Sequence, residues 1–518
     1  MKYPIGIQTF SEIITQGYVY VDKTEHVYNL AHSGKYYFLS RPRRFGKSLL
    51  VSTLDAYFSG RKELFKGLAI EKLEQDWETF PVIRLDLSGQ KFSSQAQFNE
   101  SMDRIMYAAE QRLGLKTEEN SDPTFRFGDL LLSAYKSTGK PVVILIDEYD
   151  KPIMDNIDNP GLLDYCRSAL QSVYGVMKSN DAIIRMGFLT GVSKIGHLSV
   201  FSGLNNLMDI SLFEQYNDIC GISETELHQY FDEEIYVFAD KLKVSKDECY
   251  ARLKAQYDGY RFCEDAVDGI YNPFSLLNAL YSKKLNDYWF ATGTPSFLVK
   301  VIKQTPFDLT SIADQQVDST LMANPDSIFA NPVPLLFQSG YLTIKDYNAD
   351  GDFYDLKFPN LEVKKGFFNY LLGFYAPMQG VAANTLIYKL RMSLVDGKSE
   401  DFMRQLSALF ARTPYQIQGD AEKDFQYAMF IIVQLLGIDV QAEYQTSDGR
   451  IDLLIRTDKY IYIIEIKLGG TVDEAVKQIE EKDYGAPFAA DPRQIIKIGV
   501  NFDKSTRKIV DWRVIVCD

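Results

Sequence analysis

The chain has 518 residues, 46% of them hydrophobic and 24% charged, with a formal net charge of −14. That is an ordinary globular composition in a chain too long for one core, and length alone suggests about three domains. The acidic balance is not the basic footprint of nucleic-acid binding. Five scattered cysteines without a Cys-x-x-Cys pair, and four unclustered histidines, argue against a disulfide frame and a zinc site and for a reducing compartment.

The N-terminus has no signal-peptide pattern and no apolar run is long enough to span a bilayer, so a cytoplasmic location and no membrane partner are expected. No internal repeat or low-complexity segment stands out. Phe10 and Tyr18, in the short lead-in from Ile5 to Val27, read as packing residues. Residues 36–40 read as an apolar strand, followed by Arg41-Pro42-Arg43-Arg44-Phe45-Gly46-Lys47-Ser48 and an amphipathic helix to Phe58. Gly-Lys-Ser at a strand-to-helix turn is the core of a phosphate-binding loop, where backbone N–H groups and the helix dipole face the anion. Gly46 would let the backbone approach, Lys47 would reach the β/γ-phosphates, and Ser48 would hold Mg²⁺. The loop departs from the usual pattern at Arg41, where a first glycine is expected. Arg41, Arg43 and Arg44 would either neutralise phosphate charge or pair with surface acids.

Further strands are expected at Phe80–Leu87, Val142–Asp147, Ala182–Thr190 and Leu207–Leu212. Helical spacing runs over Phe98–Leu113, Phe127–Lys136 and Leu162–Lys178. Alternating strands and helices give a mostly parallel sheet covered on both faces, with ligands at the carboxyl ends of its strands. Val142–Asp147 is a buried-strand run ending in two acids. There Asp147 would hold the Mg²⁺ shell and Glu148 would polarise an attacking water. Thr190, and then Ser193 or Lys194, would either sense the γ-phosphate or serve as ordinary loop and capping residues.

Ser223 to Tyr281 reads as interrupted helix, with Arg261 either a phosphate contact or part of an Asp-Gly turn. Residues 288–375 mix short helices and strands in a connector, and Met378-Gln379-Gly380 breaks the pattern. After a helix over Glu422–Leu436 come Val440–Gln445, a turn at Ser447-Asp448-Gly449, Arg450–Ile455, and Tyr460–Lys467: an antiparallel meander with a tight hairpin, then a helix from Asp473 to Lys482. Asp452 interrupts one strand, and Glu465 and Lys467 share a face of the next. Charges inside apolar strands are costly unless paired or bound to metal. Asp452 and Glu465 would be hard oxygen ligands for Mg²⁺, with Lys467 orienting or deprotonating a water or stabilising the transition state. An Asp452–Lys467 or Glu465–Lys467 ion pair without catalytic use is the plainer alternative.

The segments RPRRFGKSLL, VVILIDEYD, FLTGVSKIGHLSVFSGLNNL and YDGYRF resemble the AAA-ATPase-like domain of a bacterial family of two-domain proteins. GRIDLLI, YIYIIEIK and QIEEKDY resemble that family's PD-(D/E)XK nuclease motifs. The resemblance implies an α/β fold in three parts. An AAA-ATPase-like nucleotide-binding domain takes 1–215, a helical lid and mixed, winged-helix-like connector 216–380, and a restriction-endonuclease-like domain 381–518. It implies ATP and Mg²⁺ as cofactors, with Gly46, Lys47, Ser48, Asp147, Arg44 and Thr190 at the nucleotide. It further implies catalysis by Lys467, Glu465 and Asp452, beside the Glu148 already read from the acid-ended strand. Glu422 becomes an auxiliary metal ligand beside Asp452 and Glu465, and Gln478, Lys482 and Tyr484 face the site. A missing first glycine is typical of that family. The expected partner is nucleic acid, DNA foremost, with a homo-oligomer a possible further state. Two functions are implied: an ATP-regulated, Mg²⁺-dependent nuclease, or an ATP-dependent switch or nucleic-acid-binding module that does not cut.

Overall fold

The computed structural model describes residues 1–116, 122–196, 200–202, 204, 206–290, 302, 305, 307–312, 315–323, 331–375, 381–411, 421–446, 449–506 and 508–517; the side chains of 381–383, 421–424, 442 and 443 lie outside the description. The chain divides into two compact units. One comprises Met1–Phe307 with Ile312–Val363, the other Asp308–Ser311 with Lys364–Asp518.

The first unit is built on a five-stranded sheet of β1 (Tyr36–Ser40), β2 (Val82–Asp86), β3 (Val142–Asp147), β4 (Ile184–Gly191) and β5 (Met208–Asp209). Its order is β2-β3-β4-β1-β5 and every pairing is parallel. All residues of β1 and β3 are buried, the pattern of strands covered on both faces. The covering helices are α1 (Lys47–Phe58), α2 (Gln95–Leu113), α3 (Pro123–Thr138) and α4 (Pro160–Ser179). Side chains of Ser94, Asp122 and Asn159 cap the last three, satisfying N–H groups that a helix start leaves open.

The segment expected to be interrupted helix contains α5 (Glu224–Leu242), α6 (Lys246–Tyr257) and α7 (Pro273–Ser282), with β6 (Ile222–Ser223) pairing antiparallel to β7 (Ile270–Tyr271). Beyond it, the connector forms a small antiparallel sheet of β8 (Gln315–Asp318), β9 (Thr343–Asn348) and β10 (Phe353–Lys357), with a short helix α8 (Val333–Gln338).

The boundary between units falls inside α9 (Leu361–Tyr375), and α10 (Val381–Val395), α11 (Ser399–Ala411) and α12 (Ala421–Leu436) follow. The second unit's sheet has the order β11 (Asp439–Thr446), β12 (Gly449–Arg456), β13 (Tyr460–Leu468), β14 (Gln494–Asp503) and β15 (Lys508–Val516). The first three strands are the expected meander. Thr446 pairs with Gly449, while Ser447 and Asp448 of the turn lie outside the described residues. β14 then runs parallel to β13, which requires a crossover, and α13 (Val472–Glu481) supplies it. α13 lies against Gly499 of β14, where a β-carbon would stand 2.9 Å from Val476 and 3.2 Å from Ala475. Thr471 and Glu474 form its capping box.

Candidate functional site

β4 pairs with both β1 and β3, so its carboxyl end stands between the turn that carries Lys47 and the acids that close β3. The turn into α1 needs two left-handed residues, Arg44 (φ 67°) and Gly46 (φ 99°). At Gly46 a β-carbon would meet nothing within 4 Å; its φ, rather than space, calls for glycine. Lys47 is buried and donates to the carbonyls of Arg41 (2.8 Å) and Pro42 (3.1 Å), closing the loop on itself.

On the facing strand Asp147 is buried and accepts the Thr190 hydroxyl at 2.6 Å. Thr190 is itself fully buried, so it orients Asp147. Glu148 sits at φ 55°, a strained conformation for a side-chain-bearing residue, of the kind that clusters at functional sites. Burial lowers the Lys47 ammonium and raises the Glu148 carboxyl, which Asp150 and Asp147 push further the same way. Asp150 is also raised by burial; it accepts the backbone N–H of Ser193 at 2.7 Å and the Ser193 hydroxyl at 3.0 Å.

Lys47, Glu148 and Asp150 open on a cavity of about 520 Å³, whose lining does not include Asp147 or Thr190. Arg43, Arg44, Gly46, Lys47 and Ser48 line it from the loop, and Glu148 and Asp150 from the end of β3. Ile5, Ile7, Phe274 and Leu277 give another part of the wall an apolar character, and Arg44 lies 5.0 Å from the centre of the Phe274 ring. The volume is in the range of small-ligand sites.

Several candidate residues are committed elsewhere. Arg41 is 1% exposed and donates to the carbonyls of Ser40, Ser211 and Tyr216, with its guanidinium 4.1 Å from the Phe262 ring. It therefore neither faces phosphate nor pairs with a surface acid; it fastens the first half of the loop to the chain after β5. Burial pulls it down to about 10. Lys194 is buried and forms an ion pair with the partly exposed Asp209 at 2.6 Å, and the Ser193 hydroxyl is held by Asp150. Arg261 spends its guanidinium on the carbonyls of Ala266 and Lys345. Cavity residues with no local signature are Trp289, Ser339 and Tyr341, which lie over 200 residues beyond the loop.

In the second unit the β12–β13 ladder ends at Leu453–Ile464. Beyond it, Ile466 gives its backbone N–H to the Asp452 carboxylate at 2.8 Å, so a side chain replaces the strand at the fork. Glu465, 2% exposed, and Lys467 follow on one face of β13. Lys467 donates to Glu465 Oε1 at 3.0 Å and to the Gln478 side-chain oxygen. Gln478 donates to the Tyr484 hydroxyl at 3.1 Å, and that hydroxyl donates to the Arg450 carbonyl at 2.8 Å. Burial, reinforced by Asp452, pushes Glu465 up to about 7 although Lys467 opposes the shift.

Glu465 Oε2 is buried with no hydrogen-bond partner among the described residues. A buried carboxylate oxygen left open is costly, and a divalent cation is the natural counterpart for it. The donor set fits Mg²⁺, which takes one or two carboxylates and keeps several waters. Among the described residues no three His, Cys, Asp or Glu side chains form a metal-holding group. Glu422 lies in the first turn of α12, and its side chain is outside the description.

A parallel sheet with a phosphate loop and an acid-ended strand, followed by a mixed sheet carrying Asp-(x)n-Glu-x-Lys, defines a protein with AAA-ATPase-like and PD-(D/E)XK domains. Residues 4–201 match the family model described as a predicted AAA-ATPase, and 420–512 match that of the PD-(D/E)XK nuclease superfamily. The chain is 35% identical over 525 residues to the "Uncharacterized protein in vnfD 5'region" of Azotobacter chroococcum mcd 1, covering 99% of this chain and 98% of that one. The chain belongs to the same family, and it carries both domain matches in one polypeptide. No described helix is long and apolar enough to cross a membrane.

Proposed function

We propose that this protein is an ATP-binding, ATP-regulated nuclease that cleaves nucleic-acid phosphodiesters, DNA foremost, with Mg²⁺. The observation that carries the reading is the open Glu465 oxygen beside Asp452, next to a lysine held by Glu465 and Gln478. Asp452 and Glu465 would hold the cation, which when bound supplies Lewis-acid activation of phosphate and water. Lys467, fixed through Gln478 and Tyr484, holds a positive charge where negative charge develops on the phosphate oxygens. In the first unit Lys47, Gly46 and Arg44 would face the nucleotide phosphates, Ser48 and Asp147 the Mg²⁺, and Glu148 the attacking water, with Thr190 holding Asp147 in place.

The test is incubation of the full chain with plasmid, single-stranded DNA and RNA, in Mg²⁺ or Mn²⁺, with and without ATP. Metal-dependent cutting that is lost in Lys467→Ala is the expected result. A net charge of −14 favours a second reading, an ATP-dependent switch or binding module that does not cut; no cutting of any of these substrates would select it.

A further inference from the structure

One wall of the nucleotide cavity comes from neither the phosphate loop nor the acidic strand. Ser339, directly after α8, lines it together with Lys47, Glu148 and Asp150. It is 5% exposed, and its hydroxyl is buried with no hydrogen-bond partner among the described residues. A buried hydroxyl without a partner is unfavourable, and alanine would fill the same space without that cost. A ligand that accepts its proton removes the penalty.

The turn carrying Ser339 is fixed from both sides. Gln338 accepts the backbone N–H of Lys194 at 2.8 Å and donates to the Met322 carbonyl at 3.4 Å. Gly340, at φ 86°, lies so close to the loop that a β-carbon there would stand 2.7 Å from Pro42. Tyr341 packs edge-on against Trp289, whose indole N–H donates to the Arg43 carbonyl at 3.1 Å. Ser339 is therefore held near the loop's first half and near the segment after β4, where Lys194 lies. It shares the cavity with Gly46, Lys47 and Ser48 of that loop.

We propose that the Ser339 hydroxyl donates a hydrogen bond to the terminal phosphate of a bound nucleoside triphosphate, so that the 338–341 turn distinguishes triphosphate from diphosphate. The inference rests on the nucleotide-binding reading of the cavity. It makes the connector, rather than Ser193 or Lys194, the supplier of a γ-phosphate contact.

Calorimetric titration of the full chain with ATPγS and with ADP, in Mg²⁺, tests it. Ser339→Ala should weaken ATPγS by about tenfold, the order expected for one hydrogen bond to a charged group, and leave ADP within about twofold. Ser339→Thr, which keeps the hydroxyl, should bind ATPγS within about threefold of wild type. Equal weakening of both nucleotides, or of neither, would overturn the proposal, because the serine would then be wall and not sensor. Wild-type protein that binds neither nucleotide would remove the nucleotide reading itself and this inference with it; Lys47→Ala, losing both nucleotides while wild type binds both, marks that reading as sound.

Discussion

Each unit places a lysine among acids, and each buries one carboxyl pushed up to about 7, yet the surroundings differ. In the first unit Lys47 gives its protons to two loop carbonyls, and Glu362, the acid raised to about 7, accepts the backbone N–H of Trp289 at 2.7 Å. In the second, Lys467 leans on the raised acid itself, and Glu465 keeps one oxygen with no partner among the described residues. Two carboxyls both pushed up by burial are thus unequal in hydrogen bonding. A perturbed acid is common to structural and functional positions, and the open oxygen separates them.

Mutations sharpen that contrast. The largest effect on activity is expected from Lys467→Ala, which should slow metal-dependent cleavage by about 10²–10³-fold, the range seen when one charge-stabilising donor is removed. Its circular-dichroism spectrum and unfolding midpoint should stay near those of wild type, since Lys467 is partly exposed.

Arg41→Ala should act through stability. It strands the buried carbonyls of Ser40, Ser211 and Tyr216 and opens a cavity, at about 3–5 kcal/mol, readable by denaturant melts of the first unit. Arg41→Lys should recover only part, because an ammonium lacks the planar fork that reaches Ser211 and Tyr216 at once.

Glu362 gives a pH signature. Burial raises its folded value to about 7 from the ordinary 4.5, so the folded state holds the proton more tightly than the unfolded. Its favourable contribution is complete below about pH 4.5 and is lost as pH rises through about 7. Glu362→Gln should flatten that slope and stabilise the protein at pH 8 by about 2–3 kcal/mol, measured as melts at pH 5 and 8. The smallest effect belongs to Gln478→Ala. With one of two Lys467 contacts gone, cleavage should fall by about tenfold with little change in KM.

Much of this arrangement is legible in local pattern. Gly46-Lys47-Ser48 between an apolar strand and a helix, and Val142–Asp147 ending in acids, mark the strand ends that the sheet order brings together. Period-two alternation puts Glu465 and Lys467 on one face without any tertiary knowledge. Four features escape such reading. Arg41 looks like one of three loop arginines, and only the return of the chain at Ser211 and Tyr216 turns it inward. Lys194 looks available until β5 brings Asp209 to it. β14 lies beyond the meander that hairpin signals delimit, because a parallel pairing through α13 leaves no turn signature, and β15 only then adds to it antiparallel. Trp289 and Ser339 carry no local mark at all; their role follows from where the connector packs.

The most direct measurement is Mn²⁺ titration of the nucleotide-free full chain by electron paramagnetic resonance, wild type against Glu465→Gln and Glu362→Gln. Glu465→Gln should lose the tightest-bound Mn²⁺, while Glu362→Gln should bind it as wild type does. Unchanged Mn²⁺ binding in Glu465→Gln would contradict that expectation, because the unpartnered oxygen would then not be a cation ligand.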